Sequence, residues 1–122
     1  MADQDDVYDL VGVGFGPANL SLAVAIAEHN AGPGAHVPVT ARFFERQESF
    51  GWHRGMLIPD ARMQVCFLKD LATPRNPTSS FGFLSYLVDR GRFADFLNRQ
   101  TFFPTRLEFH DYLVWAASRV PV

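Results

Sequence analysis

The apolar positions along the chain fall into short runs whose period changes. Tyr8–Val13 (YDLVGV) is a run of strand length that leads straight into Gly14-Phe15-Gly16-Pro17. From Pro17 to His29, Leu20, Val24 and Ala27 recur at helical spacing with small alanines between them. Asn30 to Pro38 holds two Gly and two Pro and reads as a loop. Val39–Glu45 (VTARFFE) reads as a second strand that ends on an acid. Strand, turn, helix and strand in this order form the opening of a βαβ dinucleotide-binding unit.

From Arg46 to Pro77 no period persists, and aromatic, Gly and Pro residues mix with charges, the signature of a working loop. Ser79 or Ser80 is the expected cap of a helix with Phe83, Leu84, Leu87 and Val88 on its inner face, and Gly91 stands where that helix should stop. Arg92–Asn98 reads as a further helical turn or a lid-like segment. Thr105-Arg106-Leu107-Glu108 is a capping-box pattern, opening a helix to about Arg119 with Phe109, Leu113 and Ala116 inward. The expected class is α/β: a partial, Rossmann-type FAD-binding domain, consisting of an N-terminal βαβ unit plus a helical insertion. Two strands are too few for a doubly wound sheet. Residues 1–122 therefore read as the N-terminal part of a larger protein, expected to fold poorly and to be inactive alone.

The glycines allow two registers for a G-x-G-x-x-G fingerprint. A start at Gly12 puts Pro17 at the last position, where it cannot serve. A start at Gly14 leaves YDLVGV whole as strand and puts Asn19 in place of the third glycine. Gly14 then makes the tight turn, and Gly16 lets a pyrophosphate approach the positive end of the following helix. Pro17 suits a first helical turn because its missing N–H costs no helical bond. Glu45 closes the second strand, where a carboxylate accepts from both ribose hydroxyls; this favours FAD or NAD over NADP at that site.

Other candidates carry weaker signals. Trp52 is placed to wall off a flavin edge and His53 to donate to phosphate or ribose, although a core aromatic beside a surface histidine is the blander account. Lys69 sits among apolar residues in Met63-Gln64-Val65-Cys66-Phe67-Leu68-Lys69-Asp70-Leu71 and wants a partner, a substrate carboxylate or Asp70, unless it simply takes a surface position. Cys66, the one cysteine, reads as a small buried hydrophobe. His29, His36, His53 and His110 are dispersed without metal-ligand spacing. A composition 48% hydrophobic and 20% charged argues against disorder, and a net charge of −2 argues against a nucleic-acid partner. Met1–Asp6 is acidic rather than a secretory signal, and the longest apolar stretch, about Leu20 to Ala27, is too short for a membrane span. The expected location is the cytoplasm, with homo-oligomerisation left open.

Four stretches together resemble the siderophore-type, flavin-dependent N-hydroxylating monooxygenases of L-ornithine and L-lysine: GVGFGPANLSLA, FFERQESFGWHRGML, ARMQVCFLKDLATPRNPTSSFGFLSYL and FFPTRLEFHDYLVWAAS. The RNP after KDLAT and the FFPTRLEFHDYL run are more similar to the ornithine branch. The resemblance implies a Rossmann-type FAD domain with an inserted NADPH domain, the latter absent from these residues. It implies that Gly14, Gly16 and Asn19 hold the FAD pyrophosphate, and that Glu45 to His53 line the adenosine and flavin side. Met63 would lie near the flavin ring, Gln64 beside flavin and substrate as the catalytic residue, and Lys69 on the amino acid's carboxylate. The implied activity takes FAD, NADPH and O2 and hydroxylates the side-chain amine of L-ornithine or L-lysine. Two other readings stand beside it: a non-catalytic nucleotide-binding fragment, and another FAD or NAD oxidoreductase sharing only the first βαβ unit.

Overall fold

The computed structural model describes residues 7–33, 37–47, 57–58 and 61–121. Strands β1 (Leu10–Val13) and β2 (Ala41–Phe44) pair in parallel, Leu10 opposite Ala41 through Val13 opposite Phe44, with helix α1 (Pro17–Ala31) as the crossover between them. The class is α/β. Both strands are shorter than the apolar runs predict, because polar side chains take over at the entrance. The Asp9 carboxylate accepts from the N–H of Thr40 (2.9 Å), and the Thr40 hydroxyl accepts from the N–H of Asp9 (3.0 Å). Helix α1 runs on past His29 to Ala31. Asn30 stays helical because its side-chain amide pairs with both backbone groups of Val39, at 2.9 and 2.8 Å, and so ties the helix end to the approach of β2.

Residues 61–82 contain no helix or strand, as the broken periodicity predicts. They lie against the chain before α4, through Met63 N–H on Pro104 O (2.8 Å), Phe67 N–H on Phe102 O (2.8 Å) and Arg106 N–H on Ala61 O (2.7 Å). Three helices follow: α2 (Phe83–Asp89), α3 (Phe93–Asn98) and α4 (Arg106–Arg119). With α1 they enclose one core, in which Leu20, Ala23, Val24, Phe83, Tyr86, Leu87, Tyr112 and Leu113 are wholly buried.

Two expectations for α2 are corrected. Its buried face is Phe83, Tyr86 and Leu87; Leu84 and Val88 are 37% and 64% exposed. Tyr86 displaces them because its ring carries more apolar area, and its hydroxyl finds a partner in donating to Asp111 (2.6 Å). Neither Ser79 nor Ser80 caps the helix. The N-cap is Gly82, and the N–H of Phe83 goes to the carboxylate of Asp70 (2.7 Å). The stop falls where the glycine indicates. Gly91 has φ +68° and donates to Val88 O (3.1 Å) while Arg92 donates to Leu87 O (2.8 Å), a Schellman closure that needs a residue tolerant of the left-handed region.

Helix α4 starts as predicted, with Thr105 Oγ1 accepting from Glu108 N–H (3.1 Å) and Phe109, Leu113 and Ala116 inward. The capping box is only half formed. The buried Glu108 carboxylate instead takes the guanidinium groups of Arg99 (2.7 Å) and Arg92 (3.4 Å), whose charge-assisted bonds outweigh one to a backbone N–H. Among the described residues no helix is long and apolar enough to cross a membrane.

Candidate functional site

The turn after β1 is made by Gly14, at φ +87°, a conformation that L side chains rarely adopt. Its N–H donates to Phe44 O (2.6 Å), fastening the turn to the end of β2. Gly12 has a different task. It lies within β1, and a Cβ there would come within 2.4 Å of the Phe43 ring, so its smallness lets that ring pack. At Gly14 and Gly16 an added Cβ would meet nothing within 4 Å; both face open space. Gly16 is the N-cap of α1 and no side chain caps the helix. With Pro17 at the first position, the N–H groups of Ala18 and Asn19 have no intrahelical acceptor. The side chain of Asn19 is turned the other way: its Nδ2 donates to the carbonyls of Gly14 (2.8 Å) and Val13 (3.3 Å), bracing the turn from behind.

Glu45 follows β2 directly. One carboxylate oxygen accepts from Phe15 N–H (2.7 Å) and the other from Gln47 N–H (3.1 Å). These N–H groups, Gln47 first and then Phe15, hold the carboxyl below its ordinary range. A carboxylate accepts about four hydrogen bonds, so two such bonds leave an exposed Glu45 free to accept more. Beside it Val13, Gly14, Phe44 and Arg46 line a hollow of about 560 Å³.

On the other side of the α1 start lies a groove of about 310 Å³. Pro17, Ala18 and Ser21 form one wall; Met63, Val65 and Lys69 of the irregular segment form the other. Met63 is buried, and Lys69 is exposed. Asp70 is not the partner of Lys69. Its carboxylate is filled by the N–H groups of Ala72 (2.9 Å), Thr73 (2.6 Å) and Phe83 (2.7 Å) and by the Thr73 hydroxyl (2.6 Å). Among the described residues Lys69 makes no ion pair. Gln64 is exposed and lies outside the lining of this groove. Cys66 is half-buried, with its Sγ accepting from Leu68 N–H (3.5 Å). Trp52 and His53 fall outside the described residues.

The structure thus gathers Gly14, Gly16, Pro17, Asn19 and Glu45 at one turn and brings Met63 and Lys69 to the start of α1. Sequence reading missed the polar anchors beneath: Ser21, Asp70 and Tyr112. One local signal was present, since Asp-x-x-Thr at Asp70–Thr73 is a pattern in which the acid accepts N–H groups two and three residues on.

The family model for L-lysine 6-monooxygenase/L-ornithine 5-monooxygenase matches residues 6–122. The L-ornithine N(5)-monooxygenase of Burkholderia cepacia is 56% identical over 114 residues, which are 93% of this chain and 25% of that protein. The ornithine N-hydroxylase of Kutzneria sp. 744, solved with reduced FAD, NADP+ and L-ornithine, is 59% identical with a TM-score of 0.87, over 96% of this chain and 27% of its own. An FAD-bound cadaverine monooxygenase of desferrioxamine biosynthesis from Erwinia amylovora is 33% identical with a TM-score of 0.84, over 96% of this chain and 26% of its own. The chain spans about a quarter of the length of these relatives.

Proposed function

Because the chain belongs to the L-lysine 6-monooxygenase/L-ornithine 5-monooxygenase family, we propose that it is the N-terminal part of a Rossmann-type FAD-binding domain, and that the enzyme built on it N-hydroxylates the side-chain amine of L-ornithine, with NADPH and O2, for siderophore biosynthesis. The observation that carries this reading is the junction at the start of α1. An uncapped helix N-terminus lies by two glycines that face open space and by a groove lined by Lys69, which makes no ion pair among the described residues.

The residues fit FAD. The N–H groups of Gly16, Ala18 and Asn19 at the positive end of α1 suit the pyrophosphate, and Gly14 and Gly16 leave room for it. Glu45, held ionised by Phe15 and Gln47, has acceptor capacity left for ribose hydroxyls. FAD held here would supply the redox chemistry that activates O2 with electrons from NADPH. The chain's own residues bind and orient. Lys69 donates to the amino acid's carboxylate and fixes the end of the molecule remote from the reacting amine, so that chain length sets reach. Met63 gives that groove a buried apolar wall, and the exposed Gln64, next to it in sequence, is the residue that the family resemblance assigns to flavin and substrate. Ornithine is favoured over a diamine because a diamine has no carboxylate for Lys69, and because identity is 59% to the ornithine enzyme against 33% to the cadaverine enzyme.

The test is a graft in which residues 6–122 replace the matching N-terminal quarter of the Burkholderia cepacia enzyme. It should release FAD, not FMN, on denaturation and hydroxylate L-ornithine but not cadaverine. Lys69→Ala should raise KM for ornithine roughly 10- to 150-fold, the worth of one charge-assisted hydrogen bond, with flavin content unchanged. An active graft whose KM ignores Lys69→Ala would overturn the assignment of the lysine.

A further inference from the structure

Lys69 has a long flexible stem and an exposed ammonium, so it can be placed no better than its own backbone. Yet it sits in a segment with no helix or strand. The fixing comes from the residues that follow it. Asp70 closes a turn on Ala72 and Thr73 with one carboxylate oxygen, and with the other holds the Thr73 hydroxyl and the N–H of Phe83, the first residue of α2. Leu71 N–H donates to the hydroxyl of Tyr112 in α4 (3.1 Å), which itself donates to Phe81 O (2.7 Å). Ser21, in the first turns of α1, donates to Leu71 O (2.8 Å). Three helices therefore grip the two residues after Lys69 through polar contacts, while the lysine itself lines the groove beside Pro17 and Ala18 and makes no ion pair among the described residues.

We infer that Asp70 is a positioning residue: it locks the segment bearing Lys69 onto α2, and through Lys69 it sets the grip on the substrate carboxylate. This rests on the reading of Lys69 given above. Asparagine is the informative replacement, because it keeps the shape but turns one acceptor oxygen into a donor. Whichever way the amide faces, either the Ala72–Thr73 side or the Phe83 side loses its acceptor.

In the grafted enzyme, Asp70→Asn is expected to raise KM for L-ornithine about fivefold, within the coupling range of contacting residues, with kcat and FAD content unchanged. In a Lys69→Ala background the same change should move KM by less than about twofold, because its route to the substrate is already gone. Thr73→Val, which removes a single donor, should act in the same direction and more weakly, and it carries the test should Asp70→Asn fail to accumulate. Equal effects of Asp70→Asn with and without Lys69, or loss of flavin and kcat at unchanged KM, would show a purely structural role and overturn the inference. If Lys69→Ala raises KM and Asp70→Asn does not, the inference alone falls. If Lys69→Ala has no effect, the substrate reading falls and takes the inference with it.

Discussion

Helices α2 to α4 and the β1–α1–β2 unit hold themselves together by different means. In the helical region the Phe83 ring lies 5.3 to 6.1 Å from those of Phe67, Tyr86, Phe96, Phe109 and Tyr112, all but Phe67 buried, and the buried Glu108 ties α3 to α4. The strand region buries little of its own: Val13 is 89% and Phe44 52% exposed, and each strand has four residues. Its turn is held by single polar bonds, from Gly14 to Phe44, Phe15 to Glu45 and Asn19 to Gly14. Helix α1 belongs to both, with Leu20, Ala23 and Val24 in the core and its first turn beside the glycines, and Phe15 and Phe43 pack against that core from the strand side. Gly14, Gly16 and Glu45 thus sit on the lightly packed region, while the segment bearing Lys69 is moored to the heavily packed one.

The largest effect should come from the aromatic core. Phe83→Ala is expected to cost about 3–5 kcal/mol of stability, measured by urea unfolding of the grafted enzyme. A loss below about 1 kcal/mol would mean that the helical region is not the principal source of stability, and would erase the contrast. Next is Gly14→Ala, which puts a side chain at φ +87° with nothing to clash against. The conformational penalty of about 1–2 kcal/mol should stay local, accelerating amide exchange at Phe15 while α4 amides keep their protection. Uniform loss of protection would show that the two regions unfold as one. The smallest effect is acid sensitivity of the turn. The folded carboxyl of Glu45 is lowered from 4.5, so its contribution is complete above that value and is lost as pH falls through the lowered one. Corrected for intrinsic rates, the amides of Phe15 and Gln47 should lose protection over that window, whereas Phe67 N–H, bonded to a backbone carbonyl, should not; Glu45→Gln should abolish the difference. Parallel behaviour of all three amides would remove Glu45 as the latch.

What the sequence made legible was whatever a few neighbouring residues decide. Gly14 at the turn, Pro17 at the head of α1, Gly91 at the close of α2 and Thr105 at the head of α4 each meet a local backbone demand. Distant partners escaped it. The cap of α2 comes from Asp70, the end of α1 is held by Val39, and the inner face of α2 is set by Tyr86 reaching Asp111. Glu108 has the spacing of a capping box, but its carboxylate goes to arginines that come together only in the folded chain. Within the site, Glu45 was legible as an acid at a strand end, but its bond to Phe15 spans 30 residues and leaves no periodic trace. Lys69 was legible as a lysine out of place; Asp70 is engaged in part by Phe83, 13 residues on, which no local pattern marks.

The cross-links of the glycine turn bear on how this segment can be exchanged between relatives. Asn19 is bonded to the carbonyls of Val13 and Gly14, Phe15 to Glu45, and Gly14 to Phe44. Val13 to Glu45 therefore behaves as one cassette. A recombination junction placed inside it would unite a turn with a helix or an acid that had not been matched to it, whereas a junction upstream of Tyr8 or downstream of Gln47 carries the partners of the turn and of the paired strands across together.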